Sequence, residues 1–354
     1  MSASTWVRWR VGRALISLSF QTFFAGISLA EPTVLPDRFG GAAFGSVLGH
    51  CSGQLFALSG FDGPTNSSSF TGVFTGHNFD LMLCGAPSAS RYLNFSLTAT
   101  INDVSVATND VLLVQAETGQ ASVTYSQWHT IVGALPHGSN VSLARATSVL
   151  VNGTLQCWTL VSTDATALCT SFAERGAFAL SYGATEREAL ARGLAGLQTN
   201  VDEAVADRLA MFLDQPVVDH KYQKLLSKVL SVMRVNTLNA EGDIRELWST
   251  PDREPHRNMW LWDSCFHSIG MNHINSTASW WFLKALLDIQ TPEGFIPISR
   301  NPSGASKDHD ETQPPLLAFA LWHNFQAHSK LDPAEALERH VSPPATACSP
   351  ATSV

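Results

Sequence analysis

The chain is 354 residues long, 45% hydrophobic and 15% charged, with a formal net charge of −8. That length accommodates two domains, each with its own core. With no block of Lys and Arg beyond the extreme N-terminus, the composition argues against a nucleic-acid partner, because phosphate binding needs clustered cations.

Residues 1–30 have the makeup of a secretory signal peptide. Arg8, Arg10 and Arg13 open it, "ALISLSFQTFFAGISLA" is its apolar middle, and Ser28-Leu29-Ala30 is a small-residue cleavage site. An uncleaved anchor is the competing reading, but Gln21, Thr22 and the serines dilute the apolar run, which favours cleavage and no membrane attachment afterwards. The expected location is secreted or in the lumen of the secretory pathway. Glycosylation acceptor sequences at Asn66, Asn94, Asn140, Asn152 and Asn275 agree with that route. Cys51, Cys84, Cys157 and Cys169 could form two disulfides, with the pairing open. Cys265 reads as a buried thiol, and Cys348 falls in the tail.

Residues 31–184 carry a β pattern. In "YLNFSLTATI", Leu93, Phe95, Leu97 and Ile101 alternate with Asn94, Ser96, Thr98 and Thr100, which sends one face inward and leaves Asn94 on the wet face. "VLLVQ", "ATSVLVNG" and "TLQCWTLV" are further strands between Gly, Asn, Ser and Pro turns. Short strands with regular turns predict an antiparallel β-sandwich.

Residues 185–216 read as one linker helix. "TERE" has the form of a capping box, with Thr185 capping and Glu188 reaching back. Leu190, Leu194, Leu197, Val201, Val205, Leu209 and Phe212 recur at helical spacing until Pro216 ends the run. Residues 217–330 contain four helical segments, "HKYQKLLSKVLSVMRVN", "SCFHSIGMNHI", "ASWWFLKALLDIQ" and "PPLLAFALWHNFQAH", and no strand pattern, which predicts an all-α region. Residues 331–354 form a Pro-, Ala-, Ser- and Thr-rich tail with no periodicity, disordered or aberrant. The fold class is therefore α+β and multidomain.

Within "HRNMWLWDSCFHSIG", two indoles flank one carboxylate. Asp263 stands directly before an apolar helix expected to begin near Ser264, so its position alone reads as an N-cap, with Trp260 and Trp262 packing. A second reading is chemical. A sugar offers apolar C–H faces and hydroxyl edges, which suit aromatic platforms beside a carboxylate.

"PHRNMWLWDSCFHSIG", "EGFIPISRNP" and "TQPPLLAFALW" resemble successive motifs of the mannosylglycerate-hydrolase-like enzymes. These belong with glycoside hydrolase family 63 and are related in fold to trehalases. The match runs from about Lys221 to His328. The resemblance implies an (α/α)6 barrel preceded by a β-sandwich and a linker helix, with residues 217–330 as the incomplete, N-terminal part of that barrel. It also implies that Trp262 and Asp263 lie in a sugar-binding subsite and that Gln313, ahead of the paired prolines, contacts sugar. Trp260, His256 and Arg257 are further candidates from the same loop, while Met259, Phe266 and His267 are expected in the core. No cofactor or metal is implied, and Asp308, His309 and Asp310 read as a solvated loop.

An inverting glycosidase needs two carboxyl groups about 6.5–9.5 Å apart, one protonating the leaving oxygen and one activating water. The family's later acid motif, resembling Gly-Trp-Asp-x-Ser-x-Arg or Gly-Leu-Asp-Asp-Tyr-Pro-Arg, is absent from the sequence. Asp263 as acid with Glu293 or Glu311 as base is the minority alternative. The expectation is an inverting α-glycosidase of this type, shortened before its catalytic acid and base. The alternative is a non-catalytic secreted carbohydrate-binding protein.

Overall fold

Among the described residues, thirteen strands, all paired antiparallel, build two sheets in the first half of the structure. A computed structural model describes residues 54–328, apart from 63–64, 66–70, 75–79, 85–92, 99–100, 137, 154, 162–163, 172–175, 214–217, 254–255 and 305–310. The signal sequence, Cys51, Asn66, Pro216, Asp308, His309, Asp310, Cys348 and the tail thus lie outside the described residues, as do the side chains of Cys84, Asn94 and Asn152. The five-stranded sheet comprises β1 (Gln54–Ala57), β2 (Thr71–Phe74), β3 (Asp80–Cys84), β4 (Leu93–Thr98) and β9 (Asn140–Leu143), in that order. The eight-stranded sheet runs β10 (Thr147–Asn152), β11 (Leu155–Val161), β12 (Ala165–Ser171), β13 (Gly176–Gly183), β8 (Thr130–Leu135), β7 (Gly119–Gln127), β6 (Val111–Ala116), β5 (Ile101–Ala107).

Strand β6 shows how the larger sheet is used. Leu112 and Val114 join Phe56, Val141, Tyr125 and Phe178 in a cluster that draws on both sheets. Val111 and Leu113, on the opposite face, join Val201, Val205, Leu209, Phe212 and Leu230 from helices. Burial on both faces is why "VLLV" is a continuous apolar run where other strands alternate. Cys157 on β11 faces Cys169 on β12 directly, with Cα atoms 4.1 Å apart, and the two form a disulfide. Cys265 is a buried free thiol, as its setting suggested.

The linker is two helices rather than one. α1 (Glu186–Gly196) and α2 (Val201–Leu213) are separated at Leu197–Asn200, where the Asn200 carboxamide accepts from the Asp202 and Glu203 amides and starts the second helix. The buried stripe of α1 is Ala189, Gly193 and Gly196 rather than the leucines. The backbone comes so close to the sheet that a Cβ on Gly196 would stand 2.8 Å from Ala179 and Thr130, which only glycine tolerates. The cap also departs from the expected box. Thr185 Oγ1 does accept from the Glu188 amide, but the Glu188 carboxylate takes the Ala184 N–H at 2.8 Å.

α3 (His220–Val235) starts on its Asp219 cap. The following stretch is not all-α. Short ladders join β14 (Thr237–Leu238) to β15 (Trp248–Ser249) and β16 (Met259–Trp260) to β17 (Ser299–Arg300). Two-residue strands are too short to show a period in sequence. α4 (Leu261–Met271), α5 (Ser276–Asp288) and α6 (Leu317–His328) pack around Trp248, Met259, Leu261, Cys265, Leu283, Leu286 and Ala320. Asn324 Nδ2 donates to Asn272 Oδ1 and Ser279 Oγ, both at 2.9 Å, and Ser279 meets Ser268 at 2.7 Å, so one polar network crosses three helices. No helix among the described residues is long and apolar enough to cross a membrane.

Candidate functional site

Three short stretches, separated in sequence by up to fifty residues, meet at the N-terminus of α4. Trp260 pairs with Ser299 across the β16–β17 ladder. One residue on, the Leu261 amide donates to the Ile298 carbonyl at 3.2 Å, and the Ile298 amide donates to the Glu311 carbonyl at 2.9 Å. The Trp262 amide, one of the four donors a helix leaves unpaired at its start, donates to Gln313 Oε1 at 2.9 Å. Gln313 precedes Pro314, and a residue before proline is confined to extended backbone, which pins where its side chain originates. The Gln313 carboxamide is thus a helix cap delivered from another part of the chain.

This overturns the capping role for Asp263. The helix begins at Leu261, three residues earlier than the apolar run suggests, and Trp260 is the N-cap residue with no side-chain cap bond of its own. Asp263 instead sits inside the first turn, half-buried. Burial raises its carboxyl above the ordinary carboxylate value. Its own backbone amide, the Trp262 and Gln313 side chains, and His256 act in the opposite direction. Gln313 therefore accepts from the Trp262 backbone and stands near enough to Asp263 to favour its charged form. A carboxylate in that first turn is an acceptor with lone pairs available to a ligand hydroxyl.

The remaining candidates divide. Trp262 is exposed, beside Asp263. Trp260 is half-buried, edge-on to the exposed His256 ring with centroids 6.3 Å apart. Its indole N–H is buried without a hydrogen-bond partner among the described residues, so what Trp260 can offer a ligand is ring surface. Arg257 uses its Nε on the Arg253 carbonyl at 3.0 Å, which braces the loop. His256 Nδ1 lies 3.8 Å from Asp252. Glu293 and Glu311 are exposed.

Among the expected core residues, Met259 is buried, but Phe266 is not. It stands one turn from Trp262 on the outer face of α4 and is exposed. Four-residue spacing puts both rings on one helix face, away from Leu261 and Cys265. His267 is part-buried against Ser249, its Nδ1 2.9 Å from the hydroxyl, and burial lowers its pKa to about 4, so the ring is neutral. Burial likewise pushes the Cys265 thiol up to about 12, which makes it an inert packing group.

Several supporting residues escaped the sequence reading. Asn301 Nδ2 donates to Asn258 Oδ1 at 3.0 Å, and Asn258 lies 3.4 Å from Ser299 Oγ, which ties the first motif to the second. Both asparagines stand inside the quoted motifs, so their position was a signal. Arg253 gave none. It is fully buried and donates to the Leu58 and Val235 carbonyls, anchoring the loop that leads to the site. Among the described residues no group of three or more His, Cys, Asp or Glu is placed to hold a metal ion.

Residues 256–342 match the family model of the mannosylglycerate hydrolase MGH1-like glycoside hydrolase domain. The matched segment contains Trp260, Trp262, Asp263 and Gln313, and the resemblance carried by the three motifs is thereby shown. No curated protein matches the chain.

Proposed function

We propose, on the premise of that match, that the end of α4 is the sugar-binding front of an inverting α-glycoside hydrolase of the family 63 type. Asp263 accepts hydroxyl hydrogen bonds of a hexose, Trp262 covers an apolar face of the ring, and Trp260 and Arg257 shape the edge of the subsite. Gln313 positions Asp263 and the first turn together. The observation that carries this reading is the meeting of the three motifs at the first turn of α4, through the Gln313 bond to the Trp262 amide and the Leu261–Ile298 and Ile298–Glu311 backbone bonds, beside the half-buried Asp263. The architecture that goes with it is a β-sandwich formed by the two sheets and the first helices of an (α/α)6 barrel.

Glu293 and Glu311, the two carboxylates weighed as a base opposite Asp263, are both exposed. Inversion needs a second carboxyl across the sugar. The reading takes acid and base from groups other than Asp263. The same observation favours the second reading, a carbohydrate-binding protein without turnover. One preparation separates the two. Turnover of α-linked disaccharides, lost in Asp263→Asn, supports the enzyme. Calorimetric binding without turnover supports the binding protein, and neither turnover nor binding refutes both.

We place the protein in the secretory pathway or outside the cell. Asn140 and Asn275 are exposed, and the Cys157–Cys169 disulfide suits an oxidising compartment. Expression in a secreting eukaryotic cell should give a product whose gel mobility rises with an N-glycan-removing enzyme. An unshifted product would overturn the placement.

A further inference from the structure

A cleft of about 620 Å³ opens beside β7 and α2 and shares no residue with the site around Asp263. Its volume falls in the range of small-molecule sites and is many times that of one water. The break between α1 and α2 helps to shape it, since Thr199 in the break and Ala204, Asp207 and Arg208 on α2 line one side, with the end of β7 and Arg234 among its other walls.

The charges inside the cleft are largely answered by one another. Asp62 Oδ1 accepts from Arg208 at 2.9 Å and from Arg234 at 2.7 Å, and Asp62 Oδ2 takes the Ser59 amide. Arg208 also lies 3.6 Å from the fully buried Asp110. An entering anion would meet guanidiniums already paired and two carboxylates, those of Asp62 and Asp207. An entering cation would meet two guanidiniums, one of them 5.7 Å over the Phe61 ring that would otherwise receive it. A neutral ligand is opposed by neither. Ser126, Gln127, Thr199 and Asp207 provide hydroxyl, amide and carboxylate partners on the lining, and Phe61 and Met211 provide apolar surface. Dense hydrogen-bonding groups next to apolar patches suit a molecule that carries hydroxyls on a C–H frame.

We infer that this cleft, between Gln127 of β7 and the Asp207–Arg208 face of α2, is a second binding site for a neutral polyhydroxylated ligand of mono- or disaccharide size. It does not rest on the reading of the Asp263 site.

The test is calorimetric titration of the complete chain carrying Trp262→Ala, with maltose and with methyl α-mannoside as probes, up to roughly 10 mM. At least one probe should still bind. Ala204→Phe, which fills the cleft from α2, should weaken that binding at least about 10-fold, and Gln127→Ala about 3-fold, the loss of a single hydrogen bond. Gln127 and Asp207 are exposed, so Gln127→Ala and Asp207→Ala carry the test if Ala204→Phe does not fold. Binding unchanged by these substitutions would overturn the assignment, as would no binding of either sugar to the Trp262→Ala chain. Inorganic phosphate bound in a manner that Ala204→Phe abolishes would overturn the neutral-ligand class. If the Asp263 site is the one that fails, all binding by the unsubstituted chain should be sensitive to Ala204→Phe.

Discussion

In residues 54–183, Phe56, Tyr125 and Phe178 are buried, and Val161 is the one large hydrophobic side chain exposed among the described residues. In residues 256–328, Phe282 is just as buried, but more large aromatic rings reach solvent. Trp262, Phe266, Trp322 and Phe325 are exposed to 41%, 47%, 55% and 61%, and the last two stack with centroids 5.8 Å apart. The larger sheet is covered on both faces, on one by cluster partners from the smaller sheet and on the other by α2 and α3. The helices around Asp263 keep aromatic surface in water, at the cost that exposed apolar area carries. The contrast teaches that the rings of the first region are spent on the core, whereas the second divides its rings between core, as Phe282, and solvent.

The sharpest way to break that comparison is to delete one ring from each region. Phe178→Ala should lower stability by about 3–5 kcal/mol in denaturant unfolding, as removal of a buried ring does, and Phe325→Ala should stay within about 0.5 kcal/mol. Equal losses would mean that the exposed rings are structural after all. At the site itself, Asp263→Asn should weaken sugar binding about 10- to 100-fold, the value of a hydrogen bond to a charged group, while leaving the unfolding midpoint nearly unchanged. A large drop in midpoint instead would return Asp263 to a structural role.

Acid separates the regions further. His267, in the helices, and His129, in the sheets, both have pKa values lowered by burial to about 4. The unfolded chain therefore binds more protons between pH 6.5 and 4, and stability is lost as pH falls through that window. Asp110 acts the other way, since burial lifts it to about 6 and the folded state gains relative stability as it protonates. His267→Gln should flatten the acid loss by about 2 kcal/mol, and Asp110→Asn should deepen it, both read from unfolding midpoints between pH 7 and 4. A smaller loss than that of a buried ring is expected at the cap. Gln313→Ala should cost about 1 kcal/mol of stability and also weaken sugar binding, while Gln313→Glu, which keeps an acceptor for the Trp262 amide but sets a second carboxylate near Asp263, should restore most of the stability and little of the binding.

Much of this protein was readable without coordinates. Alternation located β4, β10 and β11, helical spacing located α3, α5 and α6, and three ordered motifs placed the sugar-binding candidates in a segment that the family match then covered. What failed depended on partners distant in sequence. The leucines of the linker promised one helix, but the close approach of Gly193 and Gly196 to the sheet and the Asn200 cap divided it in two.

Asp263 had the right residue type and position for a cap, yet the helix starts at Leu261 because Gln313, fifty-one residues further on, satisfies the Trp262 amide. Local sequence determined which segments became strand or helix, since side-chain period is a property of neighbours along the chain. Only the tertiary structure decided where α4 begins, which cysteine faces Cys157 and whether Phe266 meets core or solvent, because each depends on which groups from elsewhere come within hydrogen-bonding or packing distance.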